Sequence, residues 1–157
     1  MSDVATANTS TGTTHQFLTF ALGAEEYGVE ILKIQEIKGY SAITPLPNAP
    51  HYVKGVLNLR GTIVPILDLR AKFGLPAVDT TACTVIVVVQ VQGKTMGCVV
   101  DAVSDVLTVT SDAIQPTPDC HGQLDTRLLT GLAQAGEKLV ILLDIDKVLG
   151  GAALNLN

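Results

Sequence analysis

Two aspartates stand at matching places in this sequence. Asp68 follows Ile63-Val64-Pro65-Ile66-Leu67, and Asp144 follows Leu139-Val140-Ile141-Leu142-Leu143. A repeat-related pair of carboxylates invites comparison with the dyad of an aspartic protease, in which two such groups share one proton. The flanks, Asp68-Leu69-Arg70 and Asp144-Ile145-Asp146, lack the small hydroxyl–glycine turn of such a dyad. Each aspartate instead precedes a short helical pattern, where it serves as an N-cap worth about 1 kcal/mol. His15, His51 and His121 have no metal-ligand spacing, and the adjacent pair Cys120-His121 has no second pair to complete a site. Cys83, Cys98 and Cys120 are odd in number and widely spaced, which fits neither a disulfide framework, a zinc site nor a local nucleophile signature. The glycines form no Walker or dinucleotide pattern. Asp101, Asp105 and Asp112 lie too far apart for a calcium loop. No catalytic residue, metal or cofactor is expected.

What remains is surface chemistry. Glu36 lies between Ile34 and Ile37, so it points away from whatever they cover. Arg60 sits at a strand–turn tip beside Gly61, whose tolerance of positive φ allows a tight turn. The bland reading of the two is a pair of solvated charges.

The elements that must position these residues come twice. Gly55–Gly74 reads GVLNLRGTIVPILDLRAKFG, and Gly131–Gly150 reads GLAQAGEKLVILLDIDKVLG. Gly55/Gly131, Val64/Val140, Leu67/Leu143, Asp68/Asp144 and Gly74/Gly150 are identical and 76 positions apart. Both stretches read as strand, turn, strand, N-cap Asp and short helix, with a C-capping Gly. An earlier hairpin also recurs, 69 positions on: Leu18, Phe20, Leu22, Gly28, Val29 and Ile31 fall on Val87, Val89, Val91, Gly97, Cys98 and Val100. The change of offset places an insertion between Val106 and Gly131, around Pro116, Pro118 and Gly122. On this repeat Glu36 and Arg60 correspond to Asp105 and Gly136, which are not a matched pair, so the fold does not itself demand the charges.

These patterns predict an all-β protein of two small five-stranded barrels with short helices around a shared core. Residues 1–15 are read as a mobile tail with the first strand opening at Gln16. One subdomain is placed at about 16–80, a second at about 81–150, and a tail at 151–157. Val85–Val89 is apolar at every position, so one face should serve its own barrel and the other should pack on the partner barrel. Pro65 cannot donate to a ladder, which predicts an edge strand or a bulge there.

Composition narrows the class further. The chain has 157 residues, a formal net charge of −5 and 47% hydrophobic residues, without tryptophan. The acidic balance argues against nucleic acid. No apolar run approaches the ~18–20 residues that span a bilayer, and the start lacks the basic and apolar regions of a signal peptide. A reducing, cytoplasmic setting without direct membrane insertion is expected.

Several segments together carry a family resemblance: Glu26-Tyr27-Gly28-Val29, Ile34-Gln35-Glu36-Ile37, Gly55-Val56-Leu57-Asn58-Leu59-Arg60-Gly61, Val64-Pro65-Ile66-Leu67-Asp68-Leu69-Arg70 and Val103-Ser104-Asp105-Val106-Leu107. From Gln16 to Leu149 the chain resembles the CheW family of chemotaxis coupling proteins. The resemblance implies two SH3-like barrels around a common core, and a non-catalytic adaptor between methyl-accepting chemoreceptors and the regulatory domain of the histidine kinase CheA. Such an adaptor stays cytoplasmic and is recruited to membrane-associated receptor arrays. The resemblance further implies partner-binding roles for nine positions. Glu36 and Arg60 match the coupling pair. Ile34, Gly55 and Asn58 match its kinase-facing surroundings. Gly97, Val103 and Val106, with Ile31 nearby, match a receptor-facing groove between the lobes. A scaffold for a non-flagellar chemosensory pathway and a small β-barrel enzyme stand as alternatives.

Overall fold

Among the described residues, aliphatic and β-branched residues alternating with polar ones produce ten short strands. They are β1 (Thr14–Leu22), β2 (Glu25–Glu30), β3 (Ile34–Gly39), β4 (Val53–Leu59), β5 (Thr62–Asp68), β6 (Val85–Val91), β7 (Lys94–Val100), β8 (Ala102–Thr110), β9 (Leu129–Ala135) and β10 (Lys138–Leu143). Two helices follow the β-rich stretches of each repeat, α1 (Leu69–Lys72) and α2 (Ile145–Leu154). The computed structural model describes residues 13–116 and 128–154, with side chains described up to residue 149.

The strands form two five-stranded sheets, ordered β8-β1-β2-β10-β9 and β3-β6-β7-β5-β4. The repeat is fully present in this order. Replacing each strand by its repeat mate (β1 by β6, β2 by β7, and so on) turns one sheet into the other. The register agrees: Ile66 pairs with Gly97 and Leu67 with Cys98 in the parallel β5–β7 contact, and Leu142 pairs with Gly28 and Leu143 with Val29 in β10–β2. The same 76 and 69 offsets relate the two sets.

The sheets do not divide the chain near residue 80, however. The repeats are interleaved. Each gives its hairpin to one sheet and its last three strands to the other, so the first sheet joins β1 and β2 to β8, β9 and β10. The chain changes sheet after β2, through a 3-10 turn at Ile31–Lys33, and after β7, through Asp101.

Each sheet curls around a small core of its own. Leu59, Val64, Ile66, Ile86, Val88 and Val99 fill the second barrel; Phe17, Ala133, Val140 and Leu142 fill the first. Between the barrels lies the largest cluster, which joins Leu18, Phe20, Tyr27 and Val29 of one sheet to Leu67, Val87, Val89, Met96 and Cys98 of the other. Strand β6 serves both, with Ile86 and Val88 inside its barrel and Val87 and Val89 in the shared core. The continuous run Val85–Val89 therefore has both faces covered, each large side chain contributing about 1.5–3 kcal/mol by burial.

Three local expectations are corrected, and the alternatives at Pro65 are decided. Strand β1 begins at Thr14, because Thr14 and His15 pair with Thr110 and Val109 of β8. That extension is polar and partly exposed, so it carries no alternation signal. Helix α2 runs on to Leu154 instead of stopping at Gly150; Ala152, Ala153 and Leu154 are strong helix formers. Residues 151–154 are thus helical rather than tail. Of the two alternatives at Pro65, the edge strand is excluded, since β5 lies between β4 and β7, and the irregularity is present beside it. The missing donor of Pro65 is tolerated because β7 pairs only from Ile66 onward, next to a register shift in β4 between Val53 and Gly55. Residues 1–12 of the expected tail, Pro118, Cys120, His121 and Gly122 lie outside the described residues.

Candidate functional site

Strands β3 and β4 are the two edges of the second sheet, and their closure brings Glu36 to Arg60. The β4–β5 hairpin turns in two residues, Leu59 pairing with Thr62. Arg60 and Gly61 both take positive φ, 51° and 90°, as a two-residue turn matched to strand twist requires. Asn58 steadies that turn, its side-chain oxygen accepting from Gly61 N at 2.8 Å. On β3, a register shift between Ile34 and Glu36 breaks simple alternation. Ile34 packs against the shared core while Ile37 is 45% exposed. Arg60 Nη2 donates to Glu36 Oε2, and Nη1 lies 3.4 Å from Oε1. Hydrogen bonding from Arg60 holds the Glu36 carboxyl below its ordinary range, and Glu36 raises Arg60 in turn. The result is an oriented, exposed ion pair across the barrel seam.

The other seven predicted residues fall into two groups. Ile31 lies at the crossover from β2 to β3, and Asn58 in the turn just described. Ile34 and Val103 occupy repeat-related positions and both lean on the shared core. Val106, the repeat mate of Ile37, is 42% exposed. It lines a cavity of about 250 Å3 with Glu26 and Lys138, all from the first sheet, so this hollow does not lie between the barrels.

Gly55 and Gly97 are both buried. A Cβ on Gly55 would meet the Thr44 carbonyl oxygen at 2.0 Å, at φ +147°. One on Gly97 would meet Ile66 Cδ1 at 2.6 Å inside the barrel. Their repeat mates Gly131 and Gly28 are crowded in the same way. These glycines are where backbone and core approach closely.

The capping reading of the two aspartates holds. Asp68 accepts from Arg70 N at 3.0 Å, and Asp144 lies 3.4 Å from Lys147 N. Gly74, at φ 75°, ends α1, with Leu75 N donating to Arg70 O at 2.7 Å. Among the described residues no group of three or more His, Cys, Asp or Glu could hold a metal ion. Cys98 is buried in the shared core, which pushes its thiol up to about 12; Cys83 is exposed.

Sequence reasoning missed two ion pairs at the sheet crossovers. Arg70 of α1 grips Asp101 with both guanidinium edges, Nε to Oδ1 at 2.8 Å and Nη2 to Oδ2 at 2.7 Å. Gly23 N, in the β1–β2 turn, donates to the same carboxylate at 2.8 Å. At the other crossover Lys33 donates to Asp146 Oδ2 of α2 at 2.8 Å. Arg70 and Asp146 are repeat mates, so the two latches have opposite polarity. A signal existed in the repeat itself: Arg70 and Asp146 follow matched caps and differ in sign.

Comparison with known proteins agrees with this architecture. Residues 16–153 match the family model of the CheW-like domain. The chain is 46% identical to the chemotaxis protein CheW of Klebsiella aerogenes, over 99% of this chain and 95% of that one. It is 40% identical to the chemotaxis protein CheW of Rhizobium meliloti, over 85% and 86% respectively. The crystal structure of the scaffolding protein TtCheW from Thermoanaerobacter tengcongensis superposes with a TM-score of 0.81 at 29% identity, covering 87% of this chain and 92% of that one.

Proposed function

The chain belongs to the CheW-like domain family, and from that premise we propose that it couples methyl-accepting chemoreceptors to the histidine kinase CheA through the surface around Glu36 and Arg60. Its class is plain: it is a chemotaxis coupling protein, an adaptor of the scaffold kind. The identity of its partners and the division of surface between them are the proposal.

The observation that carries it is the Glu36–Arg60 pair. The fold makes the same seam twice and needs the ion pair at neither, since Asp105 and Gly136 stand at the repeat-related positions. An exposed pair contributes little to folding. Orienting two charges at a barrel edge therefore serves recognition, by complementary charge and defined register. Asn58 is part of this surface because it sets the turn that carries Arg60. Val103, Val106, Ile31 and Ile34 lie along the strands and crossover where a receptor helix would lay its apolar face. Work in the cytoplasm, at receptor arrays, follows from such partners; no helix among the described residues is long and apolar enough to cross a membrane. The part is non-catalytic, as befits a scaffold family.

Co-sedimentation with receptor fragments and CheA tests the proposal. The protein should pellet with both, and Arg60→Glu should weaken pelleting with at least one. Binding to neither partner would return the protein to a scaffold of another chemosensory pathway, and turnover of a substrate by the purified protein would return it to the enzyme reading.

A further inference from the structure

The strand that carries Glu36 bulges, and so does its repeat mate. In β3, Ile34 pairs with Val89 and Glu36 with Val88, which leaves Gln35 without a partner. In β8, Val103 pairs with Phe20 and Asp105 with Thr19, which leaves Ser104 out at the matching position. A bulge places an extra residue in one strand and re-aims the side chains beside it. The direction of Glu36 is therefore set by how its bulge is held.

The two bulges are held by different groups. In the first barrel Thr19 Oγ1 donates to Asp105 O and accepts from Asp105 N, both at 3.0 Å, so the backbone itself is pinned. In the second barrel Val88 stands at the place of Thr19 and offers no such bond. There the bulge is gripped by its side chain. Gln90 Nε2 of β6 donates to Gln35 Oε1 at 2.5 Å and to Thr95 Oγ1 of β7 at 2.6 Å. Gln90 and Thr95 face each other in the β6–β7 register, so the grip is anchored on two strands. The repeat mate of Gln90 is Ala21, whose side chain cannot hydrogen-bond, so the fold does not require an amide there. Gln90 also fixes which way the Gln35 amide points, its oxygen toward β6 and its NH2 left to donate. A hydrogen bond from Gln35 joins the one from Arg60 in holding the Glu36 carboxyl below its ordinary value of 4.5. Gln35 and Thr95 line, together with Arg60, one hollow of about 150 Å3 at the mouth of this barrel.

We infer that Gln90 is a positioning residue of the coupling seam: through Gln35 it locks the β3 bulge so that Glu36 meets Arg60 in a single orientation. This rests on the reading of the Glu36–Arg60 pair as the coupling surface. A pair held in one orientation does not have to be ordered when a partner binds, and that ordering would otherwise weaken the complex.

The test follows the Glu36 carboxyl by carbon-detected NMR titration of the full chain, beside receptor-dependent CheA phosphorylation and thermal melting. Gln90→Met keeps the length of the side chain and removes the donor. It should raise the Glu36 midpoint toward 4.5 and lower kinase stimulation several-fold, with an unchanged melting temperature. Gln35→Met should do the same. The double variant should be no worse than either single one, because both break one link. An unmoved Glu36 midpoint in Gln90→Met, additive effects in the double variant, or full stimulation by Gln90→Met would each overturn the inference. A lowered melting temperature with an unmoved midpoint would also overturn it, by showing a strand brace only. The titration needs neither receptor nor kinase. If the intact protein fails to stimulate CheA, the coupling proposal falls, while the midpoint still decides whether Gln90 orients Glu36.

Discussion

At the seam of the second barrel Arg60 and Glu36 meet; at the same place in the first barrel stand Gly136 and Asp105. Both seams sit on sheets of identical strand order, and both hairpins turn in two residues. Gly136 takes φ 63° with no side chain to offer, and Asp105 accepts from its neighbour Val106 N at 2.7 Å instead of reaching across. Where the fold needs a residue type, the repeats agree: Gly28 with Gly97, Gly55 with Gly131, Asp68 with Asp144. Where they disagree, the residue either makes a contact of its own, as Arg70 and Asp146 do in the two latches, or is free of the fold and available for something else. The internal repeat thus acts as a control built into one chain, separating structural requirement from function.

The comparison breaks most visibly at the glycines. Gly55→Val should destabilise the protein by about 3 kcal/mol or more, since the new side chain meets backbone at 2.0 Å in a φ region that β-branched residues avoid. Gly131→Val should cost less, because its nearest contact is 2.7 Å. Chemical denaturation of the two variants measures the gap, and equal losses would contradict the geometry.

The crossover latches come next. Arg70 is only 14% exposed and Asp101 28%, and Arg70→Ala leaves Asp101 with Gly23 N alone. A loss of about 2 kcal/mol is expected, below the full cost of breaking a buried pair because water still reaches the site. Lys33→Ala removes one bond between groups that are 38% and 31% exposed and should cost well under 1 kcal/mol. Reversed ranks in thermal melts would show that the latches are not the unequal pair described.

A smaller, pH-resolved effect sharpens the same contrast. Hydrogen bonding from Arg70 holds the Asp101 carboxyl below its ordinary value of 3.8. Its contribution to stability is therefore complete above that value and is lost as pH falls through the lower, folded-state value. Asp101→Asn should flatten this part of the acid-unfolding profile.

Much of this was legible in the chain itself. Alternation at Leu18, Phe20 and Leu22 marked a strand; Asp68 and Asp144 declared themselves as caps; Val85–Val89 foretold a strand covered on both faces. The exchange of strands between repeats was not legible. Matching Gly28 to Gly97 or Leu67 to Leu143 states which segments are equivalent, and is silent on which copy each pairs with, so contiguous and interleaved barrels give the same correlation. The seam could be suspected because Glu36 and Arg60 lack matched mates. The role of Gly55 and Gly97 was not legible, because a position crowded by backbone or core looks, in sequence, like one that matters through contact. The Arg70–Asp101 latch escaped because its members are 31 residues apart and meet only because β5 and β7, which they follow, pair in parallel in the second sheet.

The central claim is that the Glu36–Arg60 seam exists for coupling and not for folding. Phosphorylation of CheA, measured with receptor fragments and with the intact protein or its Arg60→Ala variant, tests it most directly. The account predicts strong receptor-dependent stimulation by the intact protein and a marked fall with Arg60→Ala at an unchanged melting temperature. Full stimulation by a normally folded Arg60→Ala protein would contradict it.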